Sequence, residues 1–295
     1  MNPISVLLIC LWTYAAIFSV ILLKDIFTHR KTLVKGKKTQ HILISFFSNF
    51  FDALGIGSFA IATTAWKLTK SNSDDLIPGT LNVAFTIPTV TEAAIYIQKI
   101  DIDIPTLVLL IAAAVIGAAI GARIISRFSI TKIRILMGAA LLLVAVVTLC
   151  KINAVGPFGL IGTARRLDGR QLAFGVVGNL FLGALMPAGI GLYAPCMALI
   201  LFLGLSADAA FPIMMGSCAF LMPSAGITFI KEGTYHRAAA VPMALAGTCG
   251  VLAAGIVVFS LPVTLLTYLA CMIMSACACI FFFDAWRTRK NKKHV

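Results

Sequence analysis

Two Gly-Ile-Gly triplets, at 55–57 and 189–191, interrupt stretches that are otherwise apolar enough to be membrane helices. Asp52 stands three residues before the first triplet, Glu92 lies in the following apolar run, and Asn49 and Asn179 come a short way before each triplet. Glycine in a helix interior costs about 1 kcal/mol relative to alanine. A glycine pair in the middle of such a run therefore marks a place where the helix breaks and the main chain can be closely approached. A break leaves N–H groups at the start of the second half-helix without intrahelical partners, and these groups, together with the helix dipole, make a site for an anion. The chemistry implied is anion binding by backbone donors, with side-chain hydroxyls and amides helping and carboxylates exchanging protons.

The candidate ligands follow from that chemistry. Gly55, Gly57, Gly189 and Gly191 would present main chain; Asn49, Ser58, Asn82 and Thr86 would add donors in the first half, and Asn179, Tyr193 and Ser217 in the second. Asp52 lies about 16 Å into its segment by helical rise. A charge near the bilayer midplane costs roughly 2.5–3.5 kcal/mol on insertion scales, which makes Asp52 a candidate for proton or substrate coupling; the alternatives are a carboxylate capping the broken backbone at the second half-helix and one pointing into a water-filled vestibule. Glu92 reads as a second coupling candidate placed nearer a span end, where a side chain can reach towards water. Asp74 and Asp208 read as helix N-caps.

The elements that must position these residues are membrane helices. Hydrophobic residues make up 60% of the chain, charged residues 12%, and the mean hydropathy is +1.00. Apolar runs recur near 4–23, 41–66, 80–98, 104–124, 135–150, 172–203, 209–230, 238–260 and 262–283, leaving almost nothing for a soluble domain. The fold class is thus an all-α, polytopic membrane bundle of seven to nine spans. The net charge of +13 sits in short loops and in the tail "RTRKNKKHV", the positive-inside pattern, with no basic face for nucleic acid. The eight cysteines fall mostly within apolar runs and have no metal-ligand spacing, and no cofactor is implied. A P-loop, a nucleophile elbow and a His-Glu-x-x-His pattern are all missing, so neither ATP hydrolysis by this chain nor an enzyme is supported.

Sliding the chain on itself by 134 residues superimposes "GIGSFA" on "GIGLYA", Asp74 on Asp208, Pro78 on Pro212 and Gly121 on Gly255. This predicts two homologous repeats, 41–150 and 172–283. An extra N-terminal span with a basic cytoplasmic loop occupies 1–40, an inter-repeat loop 151–171 and a basic cytoplasmic tail 284–295. Corresponding glycine-broken helices in two halves are the mark of a transporter's substrate site. "GAAIG" at 117–121 reads instead as a small-residue packing seam.

In this arrangement the chain resembles the TauE/SafE family, the sulfite exporter or 4-toluene sulfonate uptake permeases. The resemblance is carried by "GIGSFAIATT" and "GIGLYAPCMA", by "DDLIPGTLNVAF" and "ADAAFPIMMGSCAF", and by "IDIPTLVLLIAAAVIGAAIGARI" and "YHRAAAVPMALAGTCGVLAAGIVV", over roughly residues 41–283. The family's glycine run usually continues where this chain has Ser58-Phe59 and Leu192-Tyr193. The resemblance implies a secondary carrier of small organosulfur anions such as sulfite and sulfonates in the bacterial cytoplasmic membrane, and the midplane acid read above adds linkage to protons or another ion. The carrier's partners would be the anion and the lipid bilayer. A membrane scaffold or accessory subunit without transport of its own, and a channel, are the alternatives.

Loop charge leaves the number of spans open: nine crossings make the repeats parallel, whereas seven crossings with both glycine-broken segments re-entrant make them inverted. The lengths of 41–66 and 172–203 favour nine. Lys70→Cys in a background without native cysteines separates the two. An impermeant thiol reagent labels it from outside if 41–66 crosses, and only after permeabilisation if the segment is re-entrant.

Overall fold

The computed structural model describes residues 3–30, 38–55, 57–69, 71, 73, 76–124, 130–153, 155, 162–186, 192–258 and 262–292. Among these the chain is helical almost throughout. It divides into two compact units, one built from Met1–Lys99 and Cys218–Ser260 and the other from Ile100–Ser217 and Leu261–Val295.

The first unit holds α1 (Pro3–Thr28), α2 (Lys38–Ala53), α3 (Ser58–Thr69) and α4 (Ile77–Lys99), together with α10 (Arg237–Val258) and the later part of α9 (Ala210–Glu232). Here α10 packs along both α2 and α4, and α1 lies on α4. Phe18 and Leu22 of α1 close a core with Val83, Ile230, Tyr235 and Ala240. The second unit holds α5 (Ile104–Ile124), α6 (Ile130–Ile152), α7 (Gly169–Leu185), α8 (Tyr193–Phe202), the start of α9 and α11 (Val263–Lys292). In it α5 packs along α7, α6 along α11, and α8 touches α6, α7 and α11.

Both glycine-broken segments are hairpins. Trp66 Nε1, near the end of α3, donates to His41 Nδ1, near the start of α2, at 3.2 Å. In a helix running on in one direction those residues would lie about 37 Å apart. The chain therefore turns back at the break, which corrects the expectation that 41–66 crosses. With 16 and 12 residues, α2 and α3 are each shorter than the roughly 20 residues a crossing needs. In the second unit a Cβ on Gly178 of α7 would meet Leu199 of α8, and one on Gly175 would meet Leu203, so the partners run in opposite order along the two helices. The mouth of that hairpin is tied by a short parallel bridge between Ala164 and Leu205 and by Ser206 N donating to Ala164 O.

The helices at each seam approach closely because small residues line it. A Cβ on Gly250 of α10 would overlap the Phe46 carbonyl oxygen of α2, and one on Gly117 of α5 the Leu180 carbonyl oxygen of α7. The packing role read for "GAAIG" is thereby met at Gly117. Asp208 does not act as the simple cap its sequence position suggests. Its carboxylate pairs with Arg165 at 2.6 Å and accepts from Ser206 Oγ. Asp74 lies outside the described residues.

Among the described residues four helices are long and apolar enough to cross a membrane (Pro3–Thr28, Ala210–Glu232, Arg237–Val257 and Thr267–Thr288), and shorter apolar helices run over Ile104–Ile120, Leu141–Ile152 and Tyr193–Phe202. Because α3 returns to the start of α2, Lys70→Cys is expected to label only after permeabilisation. Gly250→Ala, forced against the main chain of α2, is expected to cost about 1–3 kcal/mol and lower the thermal midpoint of the purified chain in detergent. Gly255→Ala meets nothing within 4 Å and is expected to raise the midpoint, by about 0.5–1 kcal/mol of helix propensity.

Candidate functional site

The inward face of α2 builds the site. His41, Ser45, Ser48, Asn49 and Asp52 are buried, whereas Ile42, Leu43, Phe47 and Phe51 are exposed. Spacings of three and four residues put the polar set on one stripe of the helix. A helix with its polar face inside and its apolar face outside is reversed relative to a soluble protein, and it suits a lipid surround.

At the lower end of that stripe the helix stops. Gly55 and Gly57 have φ of 86° and 93°, the left-handed region that side chains resist. A Cβ at Gly57 would meet nothing within 4 Å, so backbone conformation rather than crowding requires glycine there, and the main chain borders open space. Asp52, 2% exposed, spans the turn: Oδ1 accepts from Ser58 N at 2.9 Å and Oδ2 from Ser58 Oγ at 2.7 Å. The first orphan N–H of α3 is therefore held by a carboxylate of the chain itself, the geometry of a helix N-cap reached from six residues upstream.

The fourth helix closes the site from the other side. Glu92, expected nearer a span end, is fully buried, and neither carboxylate oxygen has a hydrogen-bond partner. That corrects the reading in which its side chain reaches towards water. Glu92 and Asp52 interact electrostatically. One turn further along, Tyr96 donates its hydroxyl to the Ala53 carbonyl, the last of α2. A carboxylate buried without a partner carries a desolvation cost of several kcal/mol when ionised, so Glu92 is the least compensated polar group of this cluster. On α2, Asn49 Nδ2 donates to Ser45 O at 2.8 Å while Asn49 Oδ1 and Ser48 Oγ have no partner. Ser45 Oγ donates across to Met243 O of α10 at 2.6 Å.

The other candidates divide. Thr86 is buried, but its hydroxyl donates to Asn82 O, and Asn82 Nδ2 donates to Pro78 O at 2.9 Å, so both spend their donors on their own helix. In the second unit Asn179 Nδ2 donates to Leu110 O of α5 at 2.7 Å and lies 3.5 Å from Ser217 Oγ, which itself donates to Ile213 O. Asn179 Oδ1 is buried without a partner. Tyr193 opens α8 half-buried. Gly189 and Gly191 lie outside the described residues. Sequence reasoning passed over His41, Ser45, Ser48 and Tyr96. The helical spacing of the first three with Asn49 and Asp52 was the available signal. Among the described residues no cluster of three or more His, Cys, Asp or Glu could hold a metal.

An all-helical chain of apolar segments, with broken helices carrying buried polar groups, defines a multi-pass membrane protein. Residues 2–148 match the family model described as Sulfite exporter TauE/SafE, and this half of the chain belongs to that family, which implies a membrane transporter of sulfur-related anions. The match takes in α1 and the basic loop after it and ends near the close of α6, so it starts and stops earlier than the stretch 41–283 that carried the resemblance. No curated protein and no solved structure matches the chain.

Two substitutions test this geometry by thermal unfolding of the purified chain. Asp52→Ala strips the cap from α3 and is expected to lower stability by about 1–2 kcal/mol. Glu92→Gln replaces an uncompensated carboxylate with a neutral amide and is expected to raise it.

Proposed function

We propose that the chain is a secondary carrier of a small anion of the sulfite or organosulfonate class, and that it couples anion movement to protons at the break between α2 and α3. The observation that carries this reading is the Asp52 carboxylate sitting on the N–H and hydroxyl of Ser58, the same donors an oxyanion would take. While Asp52 is ionised it occupies the positive end of α3. Taking up a proton weakens its acceptance of those two hydrogen bonds and removes the repulsion of an incoming anion, so proton and anion enter together. The open space beside Gly57 leaves room for that anion against the main chain. Asn49, Gly55, Gly57 and Ser58 would surround it in the first unit, with Glu92 as a second proton site. In the second unit Asn179 and Ser217, with the Tyr193 hydroxyl and the Gly189–Gly191 main chain, would form the repeat-related counterpart; Asn82 and Thr86 are secondary candidates.

The same reading gives seven crossings by α1, α4, α5, α6, α9, α10 and α11, with two re-entrant hairpins, in the cytoplasmic membrane. The N-terminus lies outside, and the basic loop after α1 and the C-terminal tail lie inside. This makes the repeats 41–150 and 172–283 inverted. Support comes from seams that recur at the repeat offset. Ser45 bonds to Met243 O across α2 and α10, and Asn179 bonds to Leu110 O across α7 and α5. Residues 45 and 179 are 134 apart, and 110 and 243 are 133 apart. Phe46 O and Leu180 O, again 134 apart, each face a seam glycine.

Sulfite uptake into proteoliposomes tests the reading. Asp52→Asn, which mimics the protonated acid, is expected to keep sulfite exchange and lose accumulation driven by an imposed pH difference. Gly57→Leu, strained by about 1–2 kcal/mol at its left-handed φ and filling the open space, is expected to abolish flux while still inserting. Saturable flux absent from the wild type would overturn the carrier in favour of a scaffold. Undiminished pH-driven accumulation by Asp52→Asn would move the coupling elsewhere.

A further inference from the structure

We infer that the inward face of α2 is a proton path, leading from the His41–His236 pair at the mouth of the α2–α3 hairpin to Glu92 and Asp52 at its turn. This rests on the proton-coupled reading above and adds the route by which the coupling carboxylates exchange protons with one side of the membrane.

Six of the buried side-chain atoms without hydrogen-bond partners lie along this route: Gln40 Oε1, His41 Nε2, Ser48 Oγ, Asn49 Oδ1 and both oxygens of Glu92. All but Gln40 belong to residues that are completely buried. A buried unsatisfied polar atom costs about 1–3 kcal/mol, and a row of them with no structural return is what a folded chain avoids. The arrangement makes sense as the lining of a narrow hydrated file, since buried water typically bridges about three such groups. From His41 to Asp52 the row extends about 16 Å along the helix, roughly half the hydrocarbon thickness.

The mouth is built to load a proton. His41 Nδ1 accepts from Trp66 Nε1, so the neutral ring carries its proton on Nε2; an incoming proton takes Nδ1 and frees the Nε2 proton to move on. His236, in the loop before α10, is half-buried with its ring 4.9 Å from that of His41. Its Nδ1 accepts from Ala239 N and its backbone N–H is fixed by Thr80 Oγ1. Burial holds His236, the partly exposed member of the pair, below the ordinary histidine range, so the pair rests mainly neutral and shares an incoming proton rather than storing two.

The transfer balances simply. A proton arriving on His41 Nδ1, at the expense of the bond from Trp66, makes the ring an imidazolium; its Nε2 proton then passes along water and the Ser48 hydroxyl, which accepts one proton as it releases its own, and ends on a Glu92 carboxylate oxygen. His41 returns to neutral and Glu92 becomes the carboxylic acid. The groups facing the row are few. From α4 they are Glu92 and Tyr96, and from α3 Ser58 and Trp66, its ionisable Lys67 lying outside the described side chains. The loop before α10 contributes His236. The two ionisable residues of α10 are Arg237, held by Asp25 at 2.7 Å, and Cys249, which is exposed. No described cation stands in the row to block proton entry by repulsion.

Two measurements on the full chain test the path. With Trp12→Phe and Trp286→Phe, Trp66 is the sole indole. Its fluorescence is expected to change only at acid pH, below the ordinary histidine range, as His41 is protonated on Nδ1 and the indole N–H loses its acceptor; His41→Gln removes the change. A Trp66 signal unresponsive to pH while His41 is present overturns the path. In proteoliposomes, Ser48→Ala and His41→Gln are each expected to slow pH-driven sulfite accumulation by about tenfold while leaving sulfite exchange at wild-type rate. Equal loss of both activities, or loss of neither, overturns it. If the wild type carries no sulfite, the carrier reading fails and the Trp66 titration alone decides the path.

Discussion

A helical segment that turns back on itself has to satisfy the backbone groups it leaves at the turn, and here one carboxylate does most of that. Asp52 holds both the N–H and the hydroxyl of Ser58, while Tyr96 takes the last carbonyl of α2. In hydrocarbon an unpaired N–H or C=O costs several kcal/mol. The hairpin is therefore stable only because α2 ends in an acid and α4 brings a phenol to the opposite side of the break. The left-handed φ at Gly55 and Gly57 then follows as the backbone conformation that lets Asp52 reach Ser58 across so few residues.

That solution also creates the molecule's tension. Placing an acid at the turn puts it beside Glu92, buried with nothing to balance it, and lines the helix above with amides and hydroxyls that are only partly bonded. A core selected for stability alone would replace these groups with leucine or alanine. Local cost held in place by the surrounding packing is what the proposed proton and anion site would carry.

The packing that holds it depends on small residues. Gly247 lies where a Cβ would come 2.7 Å from Asn49 Nδ2 and 2.9 Å from Ser45 Oγ, and Gly250 lies against the main chain of α2, so α10 can press on the polar stripe without filling it. In the second unit Gly117 and Gly183 let α5 and α7 meet in the same backbone-to-backbone manner. In lipid, with no hydrophobic force between helices, such close van der Waals contact and interhelical hydrogen bonds supply the association.

Much of this was legible in the residues themselves. Composition alone required a multi-pass helical protein, because so many apolar residues cannot be covered by so few charged ones. The first glycine triplet marked a break, since left-handed backbone and close approach are what glycine uniquely permits, and Asp52 was conspicuous as a charge where solvation is poor. Tertiary structure decided the rest. A glycine break is compatible with a helix that resumes across the membrane and with one that returns, and only the contact between His41 and Trp66, 25 residues apart in sequence, distinguishes them. Glu92 looked as though it could reach water because a single helix does not reveal what packs on it. Its burial is a property of the helices around α4, and long-range packing of that kind is not encoded in local periodicity.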